Sequence, residues 1–547
     1  MGRPESSGSP SLRPTGSAGV GWVDLLGAVG LTAADIGGSA RSELRIFGVT
    51  ADSRLVQSGD LYVAAPGSRV HGADFAAEAV DRGALAILTD PAGEGRALAA
   101  AAAASAATVP VVVVPHPRDL VPALADRTYD HPRARLRLYG VTGTNGKTTT
   151  AYLLQAVLRA AGQHVGLIGT IGYQLDDRRL EGRRTTVTTP EAAELYALLA
   201  LMAEQGADAV VMEVSSHALA LGRVDGLVFD VAAFTNFGSD HLDFHGDVAS
   251  YFAAKASLFT ALRARRAAIN VDDPRGQELI DQALAEGLSA VRSVSLEGPG
   301  DYTGADRRPV GGGRTAITVS TPHGTQSVTL GLPGEFNVRN ALTALAMADL
   351  AGVDLHQAST GLTDAVVPGR MQRVALGPGA PAVFVDFAHT PQAVAAVLAS
   401  LAGHRRIVVL GCGGDRDPEK REPMGAAAAA GAELVVVTDD NPRTEDPAVI
   451  RAQVLQGARA ELRGTDRQVP VLDGGRRRDA IAAALRAAGP DDVVAVLGKG
   501  HERGQEIGAE VLPFADDDVV REVWAELQQR RAASSARKAP GEGVSTR

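Results

Sequence analysis

A glycine-rich heptad, Gly143-Thr144-Asn145-Gly146-Lys147-Thr148-Thr149, stands between an apolar run at 136–141 and a helical pattern at 148–160. Strand, loop and helix in that order suit a polyphosphate such as that of ATP. Glycines let backbone N–H groups close around phosphate oxygens and the helix N-terminus adds partial positive charge. Lys147 then reaches a terminal phosphate, and the Thr148 hydroxyl can ligate magnesium. Where a strict phosphate-loop pattern has its first glycine, this chain has Val141. A chance Gly-rich turn is the plain alternative, and the strand-to-helix setting weighs against it.

Further along, Glu213 closes an apolar run at 210–213 and leads into Ser215-Ser216-His217. A carboxylate at a strand end beside a nucleotide suits magnesium, a hard cation that prefers oxygen; taken alone it equally fits a helix entry. The segment 236–246 packs Asp240, His241, Asp243 and His245 closely, so His241 and Asp243 are candidates for metal or substrate contact, with a structural histidine as the alternative. Lys255, on a helix among apolar neighbours, taken alone reads as an ordinary solvated lysine. Three later strand ends carry Gly411-Cys412-Gly413-Gly414-Asp415-Arg416-Asp417, Asp439-Asp440-Asn441-Pro442-Arg443 and Gly498-Lys499-Gly500-His501-Glu502. Together they form a polar mouth for a zwitterion, guanidinium groups meeting carboxylates and carboxylates meeting an ammonium.

The elements that position these residues follow an α/β pattern. A chain of 547 residues, 45% apolar and 22% charged, is an ordinary globular protein too long for one core. Short apolar runs at 47–50, 61–65, 85–89 and 111–114 alternate with helical stretches and predict a small N-terminal α/β domain over 21–135. Runs at 136–141, 207–214, 229–235 and 267–271 predict a central, mostly parallel sheet over 136–367, with a hairpin-like pair at 315–320 and 327–330 and a helix from about 338 to 351. Runs at 382–386, 406–410, 434–439 and 493–497 predict a Rossmann-like sheet over 368–531. Residues 1–20 and 532–547, rich in Gly, Ser and Pro, read as disordered tails.

A net charge of -10 argues against a nucleic-acid surface, and the partners expected are small molecules. Cys412, the single cysteine, excludes an internal disulfide and a multi-cysteine metal site. Neither a signal peptide nor a membrane span is legible. A cytoplasmic monomer is the expectation.

Taken together, residues 143–149, Glu213-Val214-Ser215-Ser216-His217, Asp240-His241-Leu242-Asp243, Lys255, Asp386-Phe387-Ala388-His389-Thr390-Pro391 and 498–502 resemble the Mur ligase family, as do Asp52-Ser53-Arg54 and Asp440-Asn441-Pro442-Arg443. The resemblance implies three domains, for the UDP end of a substrate, for ATP and for an incoming amino acid. It implies an ATP-dependent acid–amino-acid ligase of peptidoglycan precursor synthesis, joining meso-diaminopimelate to UDP-N-acetylmuramoyl-L-alanyl-D-glutamate through an acyl phosphate. Lys147, His241 and Lys255 would then be catalytic. Gly143, Thr144, Asn145, Gly146, Lys147, Thr148, Thr149, Asn340, Arg370 and Asp386 would hold ATP. Magnesium would sit on Thr148, Glu213, His241 and a carbamylated Lys255. Ser53, Thr188, Thr189, Ser215 and Arg223 would meet the UDP-muramoyl dipeptide, and Arg416, Asp440, Asn441, Arg443, Gly498 and Glu502 the amino acid. Two positions depart from the pattern: Phe387, where the family often has Tyr, and Leu221, where some relatives have Gln.

Diaminopimelate differs from lysine chiefly by a second carboxylate, and the Arg443 fork suits that group. The alternatives are the lysine-adding ligase of the same family and folylpolyglutamate synthetase, which would leave the 52–54 and 440–443 motifs unexplained. From other classes come a phosphate-loop regulatory NTPase and a non-catalytic binding protein.

Overall fold

The computed structural model describes residues 12–32, 43–67, 69–103, 109–182, 186, 188–238, 240–311 and 313–538. They fall into two compact units, one of residues up to 305 with 318–326 and 339–362, the other of 306–317, 327–338 and the chain from 363 onward.

Besides a short two-stranded pair, the described residues of the first unit form two larger sheets. The N-terminal one is parallel, in the order β1 (Gly48–Thr50), β2 (Asp60–Ala64), β3 (Ala86–Thr89) and β4 (Val111–Val113). The central one is built on β5 (Arg137–Thr142), β6 (Val165–Gly169), β7 (Gly172–Leu175), β8 (Arg178–Leu180), β9 (Ala209–Glu213), β10 (Val231–Phe234), β11 (Arg266–Asn270) and β12 (Ala290–Ser295). Its spatial order is β8-β7-β6-β9-β5-β10-β11-β12, parallel from β6 through β12. Strands β5, β9 and β10 are buried on both faces at every residue but Arg137, and helices such as α1 (Lys147–Ala160) and α2 (Ala192–Glu204) pack over the sheet. Helix α2 is apolar nearly all round for a reason visible in its packing. Ala192 and Ala193 join the core of the N-terminal sheet, while Leu195, Leu198, Leu199 and Met202 join that of the central sheet with Val210 and Met212. Helix α3 (Val248–Ala256) starts where the Asp247 carboxylate accepts the Ser250 N–H at 2.7 Å.

The second unit is a doubly wound sheet of β13 (Gln372–Val374), β14 (Ala382–Asp386), β15 (Arg406–Leu410), β16 (Leu434–Thr438), β17 (Val471–Gly475) and β18 (Val493–Leu497). The order is β13-β14-β18-β15-β16-β17, parallel except for antiparallel β13. Helices α4 (Arg421–Gly431), α5 (Pro447–Leu462), α6 (Arg477–Ala487) and α7 (Asp516–Lys538) surround it. Ile481 and Leu485 of α6 and Val520 and Trp524 of α7 share one buried cluster with the strand valines.

The expected strands of this last region are found at 382–386, 406–410 and 493–497. The hairpin pair is Arg314–Thr321 and Gly324–Leu330, and the helix after it is Glu335–Leu350. Strands β6 and β17 went unforeseen because glycines interrupt their apolar runs. Parts of both expected tails hold regular structure. Residues 1–11 and 539–547 lie outside the described residues, but Arg13 pairs with Asp60 at 2.6 Å, Val20–Gly21 pairs with Arg45–Ile46, and α7 runs on to Lys538. Arg13 gains a buried charge partner, and good helix formers such as Ala532, Ala533, Ala536 and Arg537 carry α7 past residue 531.

Helices α4 and α5 touch through glycines. A Cβ on Gly457 would lie 1.9 Å from the Glu422 carbonyl oxygen, and one on Gly425 would lie 2.0 Å from that of Val454. In an isolated helix Gly457→Ala would gain about 1 kcal/mol. Here it is predicted to lose about 1–3 kcal/mol, because the helices must part. The urea midpoint checks the sign: a lowered value is expected, and an unchanged or raised value refutes the contact.

Candidate active site

Adjacent parallel strands that end level with one another bring their following residues to one edge, where open α/β sheets bind ligands. Val141 of β5 pairs with Glu213 of β9, and Thr142 with Phe234 of β10. Val141 is fully buried strand, so the phosphate loop begins only at Gly143. Gly143 has φ +145°, and a Cβ there would sit 1.9 Å from the Thr235 hydroxyl, so only glycine fits. Residues following β10 brace the loop: Thr144 N donates to the Asn236 carbonyl at 2.8 Å, Asn145 N to Asn236 Oδ1 at 2.9 Å, and Thr235 Oγ1 to the Asn145 carbonyl at 2.6 Å. Gly146, also left-handed at φ +87°, approaches Asn340, whose Oδ1 accepts from Thr150 at 3.3 Å. Lys147 folds across the loop and donates to the Gly143 and Thr144 carbonyls, each at 2.9 Å. Thr148 and Thr149 are buried in the first turn of α1.

Lys255 is not the solvated lysine its sequence setting implied. It is 1% exposed, its Nζ donates to the Gly143 carbonyl at 2.9 Å, and it lies 4.4 Å from the centroid of the Tyr251 ring, one helical turn earlier. The Tyr251 hydroxyl meets Thr144 Oγ1 at 3.0 Å, so α3 is tied to the loop at two points. Burial first, and then the charge of Lys147, push the Lys255 amine down to about 6. At neutral pH it is mainly a neutral, nucleophilic amine held against the phosphate loop.

Glu213, 1% exposed, accepts from the Thr148 hydroxyl at 2.9 Å, the Thr170 hydroxyl at 3.0 Å and the Thr170 N–H at 2.8 Å. A side chain on Gly169, the last residue of β6, would meet this carboxylate at 2.2 Å. Thr170 also meets Thr188 Oγ1 at 3.1 Å. Thr189 donates to the Glu213 carbonyl at 2.9 Å and lies 3.3 Å from Ser215 Oγ, and Arg223 donates to the Thr189 carbonyl at 3.2 Å while pairing with Glu191 at 2.7 Å. Thr188, Thr189, Ser215 and Arg223 therefore form one polar wall beside Glu213. Ser53 is buried on the N-terminal sheet's 3-10 turn and donates to Glu78 at 2.8 Å.

His241, left-handed at φ +52°, packs edge-on against His217 with ring centroids 4.8 Å apart and lies 3.5 Å from Asp240; its neighbour Asp243 is exposed. His217 also stacks on Phe244 at 4.1 Å and meets His245 at 5.5 Å. Burial, then His241 and His245, lower His217 to about 4, which keeps it neutral. Among the described residues no group of three or more His, Cys, Asp and Glu side chains is placed to hold a metal. The oxygen pair of Thr148 and Glu213 nonetheless has the hard-donor chemistry that magnesium takes when phosphate oxygens complete its shell.

In the second unit, Asp386 ends β14 and accepts the Met371 N–H at 2.6 Å and the Ala388 N–H at 2.8 Å. Burial raises its carboxyl in spite of Arg370 and these two donors. Arg370 lies 4.5 Å from the Phe387 ring centroid, so the missing tyrosine hydroxyl leaves the aromatic support intact. At the ends of β15 and β16, a Cβ on Gly413 would come within 3.0 Å of Arg443 Nη1 and 3.9 Å of Arg416 Cγ, so both arginines border this glycine. Arg443 Nε pairs with Glu506 at 2.6 Å and its Nη1 donates to the Gly414 carbonyl at 2.7 Å, so part of its fork is already engaged. Gly498, at φ +110°, faces Asp440, where a Cβ would meet Oδ2 at 2.6 Å. Asp440 and Asn441 are buried, whereas the Glu502 side chain is 34% exposed.

Thr170, Asn236, Tyr251 and Lys499 touch these groups; the sequence marks Asn236 and Lys499 only as members of their motifs, with no role of their own, and does not mark Thr170 at all. Thr170 followed an unrecognised strand, and Tyr251 was legible only as the residue one turn before Lys255.

Three family models cover most of the chain: the Mur ligase family catalytic domain over 45–129, the middle domain over 141–348 and the glutamate ligase domain over 369–500. A UDP-N-acetylmuramoyl-L-alanyl-D-glutamate--2,6-diaminopimelate ligase of Streptomyces coelicolor is 46% identical over 525 residues, spanning 94% of this chain and 98% of that protein. A solved structure of an enzyme of the same name matches at a TM-score of 0.65 with 30% identity, over 93% of this chain and 99% of the other. The folylpolyglutamate synthase of Mycobacterium tuberculosis, complexed with ADP, shares the fold at a TM-score of 0.56 and 23% identity, over 70% of this chain and 91% of its own. With its phosphate loop, buried lysine and polar acceptor strand ends accounted for along nearly its whole length, the chain belongs to the Mur ligase family.

Proposed function

We propose that this chain uses ATP to join meso-diaminopimelate to UDP-N-acetylmuramoyl-L-alanyl-D-glutamate in the cytoplasm, as the names of its relatives describe for them. Residues 21–135 serve the UDP end, 136–367 the ATP, and 368–531 the amino acid. The observation that carries the reading is the buried Lys255 amine hydrogen-bonded to the phosphate loop, where burial and Lys147 lower it towards its neutral form. A regulatory NTPase has no use for such a group, whereas carboxylate activation needs anionic and cationic groups fixed round one phosphate.

The D-glutamate γ-carboxylate oxygen attacks the γ-phosphorus of ATP, the bond to the ADP oxygen breaks, and ADP leaves. An ionised carboxylate is a poor electrophile, and this step supplies a leaving group. The amine nitrogen then attacks the acyl carbon, phosphate departs, and one proton is lost from nitrogen. Lys147 and the loop N–H groups hold the phosphates where negative charge gathers. Thr148 and Glu213 would hold magnesium, which neutralises phosphate oxygens. Lys255 Nζ, when neutral, bonds to the carbon of carbon dioxide and loses a proton, giving a carbamate that puts an anionic oxygen donor where a neutral amine stood. Thr188, Thr189, Ser215 and Arg223 receive the dipeptide next to Glu213. Arg416 and Arg443 receive carboxylates, and Glu502 receives an ammonium.

ADP release is predicted to require both UDP-N-acetylmuramoyl-L-alanyl-D-glutamate and meso-diaminopimelate, with L-lysine at least about 100-fold poorer because it lacks the second carboxylate that the arginine would bind. Equal release without either substrate would favour an NTPase, and equal turnover with lysine would remove the arginine argument. Lys255→Ala is predicted to lower kcat by about 100- to 1,000-fold, with partial recovery on adding formate or acetate. Full activity in the unsupplemented variant takes Lys255 out of the mechanism.

A further inference from the structure

Behind the acceptor motif lies a line of buried charges that the proposed reaction does not use. Arg477 opens α6 and Asp516 opens α7, and neither side chain is exposed. The guanidinium grips the carboxylate at two points, Nε to Oδ1 and Nη2 to Oδ2, each at 2.7 Å. Nη2 also donates at 2.9 Å to the carbonyl of Leu497, the residue before Gly498. The remaining Nη1 faces Asp440 Oδ2 at 3.8 Å, and both atoms are buried without a hydrogen bond.

From Asp440 the line continues outward. Asp440 Oδ1 accepts the Asn441 N–H at 2.8 Å. The Asn441 side chain accepts from Lys499 Nζ at 2.9 Å and from the Glu506 N–H at 3.0 Å, and donates to Glu502 Oε2 at 2.8 Å. Lys499, with no exposed side-chain surface, reaches the same Glu502 oxygen at 3.0 Å. Along this line Asp516 pairs with Arg477, Asp440 faces the same guanidinium from its other side, and Lys499 pairs with Glu502. Three carboxylates meet two cations along it, and Glu502, its side chain 34% exposed, is the carboxylate that reaches solvent.

We propose that the Asp516–Arg477 pair, which touches no substrate, positions Asp440 and Asn441 and through them presents Glu502 to the ammonium of the incoming amino acid. Asp440 then acts from behind the site, through Asn441. This differs from the direct contact that family resemblance implied, and it rests on the proposed acceptor role of this unit. A buried ion pair seldom stabilises a fold more than apolar packing would, so its effect should be sought in geometry. The carboxylates of Asp516, Asp440 and Glu502 hold Arg477 charged against the burial that would lower it.

The test measures meso-diaminopimelate binding by calorimetry and steady-state KM values on the full chain. Asp516→Asn is expected to weaken amino-acid binding and raise its KM about tenfold, leaving KM for ATP and for the UDP substrate within about twofold. Since a lone buried charge threatens folding, Arg477→Met with Asp516→Leu removes both charges together and should stay folded by thermal melting while showing the same selective loss. Arg478→Ala, an exposed neighbour on α6, should match the parent. If the double variant folds and binds meso-diaminopimelate like the parent, the pair is only structural and the proposal falls. A parent that binds no amino acid overturns the acceptor reading itself. A parent that accepts lysine equally overturns only the diaminopimelate assignment, since both carry the ammonium.

Discussion

A primary amine buried against a backbone carbonyl is an unfavourable arrangement unless something offsets it, and the first unit is organised around one. Lys255 Nζ has the Gly143 carbonyl and the Tyr251 ring as neighbours, with Lys147 contributing a second positive charge to its surroundings. Between about 6, its value here, and 10.5, its ordinary value, the unfolded chain binds a proton that the native state does not. Stability therefore falls as pH drops through that window and levels off below about 6. Conversion of the neutral amine to an anionic carbamate would add attraction to Lys147. The group that costs stability would then serve the reaction.

The rest of the first unit keeps that amine and the phosphate loop in register. Level strand ends set Thr142, Glu213 and Phe234 at one edge, and the two residues after β10, Thr235 and Asn236, hold the loop by its own amides and carbonyls. Because the Thr235 hydroxyl sits where a Cβ of residue 143 would lie, loop and brace constrain each other. The second unit repeats the device at the ends of β15, β16 and β18. There Gly413 and Gly498 admit Arg443 and Asp440 side chains, and buried charge does the positioning.

Much of this was legible in the sequence because parallel strands buried on both faces read as plain apolar runs. The 382–386, 406–410 and 493–497 strands and the polar motifs after them are of that kind. Glycine explains the misses: Val165–Gly169 and Val471–Gly475 lack a continuous apolar signal, so Thr170, the donor that fixes Glu213, had no predicted strand end to mark it. Lys255 was unreadable for another reason. Its burial depends on Tyr251 and Gly143, and no local pattern distinguishes a lysine that turns inward. Nor does periodicity tell that Asp440 and Asn441 face the core rather than the solvent, since that depends on Arg477 and Lys499, distant in sequence.

The state of the Lys255 nitrogen can be read directly by carbon-13 NMR of the protein in labelled bicarbonate. A carbamate signal present at about pH 8, lost as pH falls through about 6 and missing from Lys255→Met is the predicted result. A spectrum with no Lys255-dependent signal anywhere in that range would contradict it.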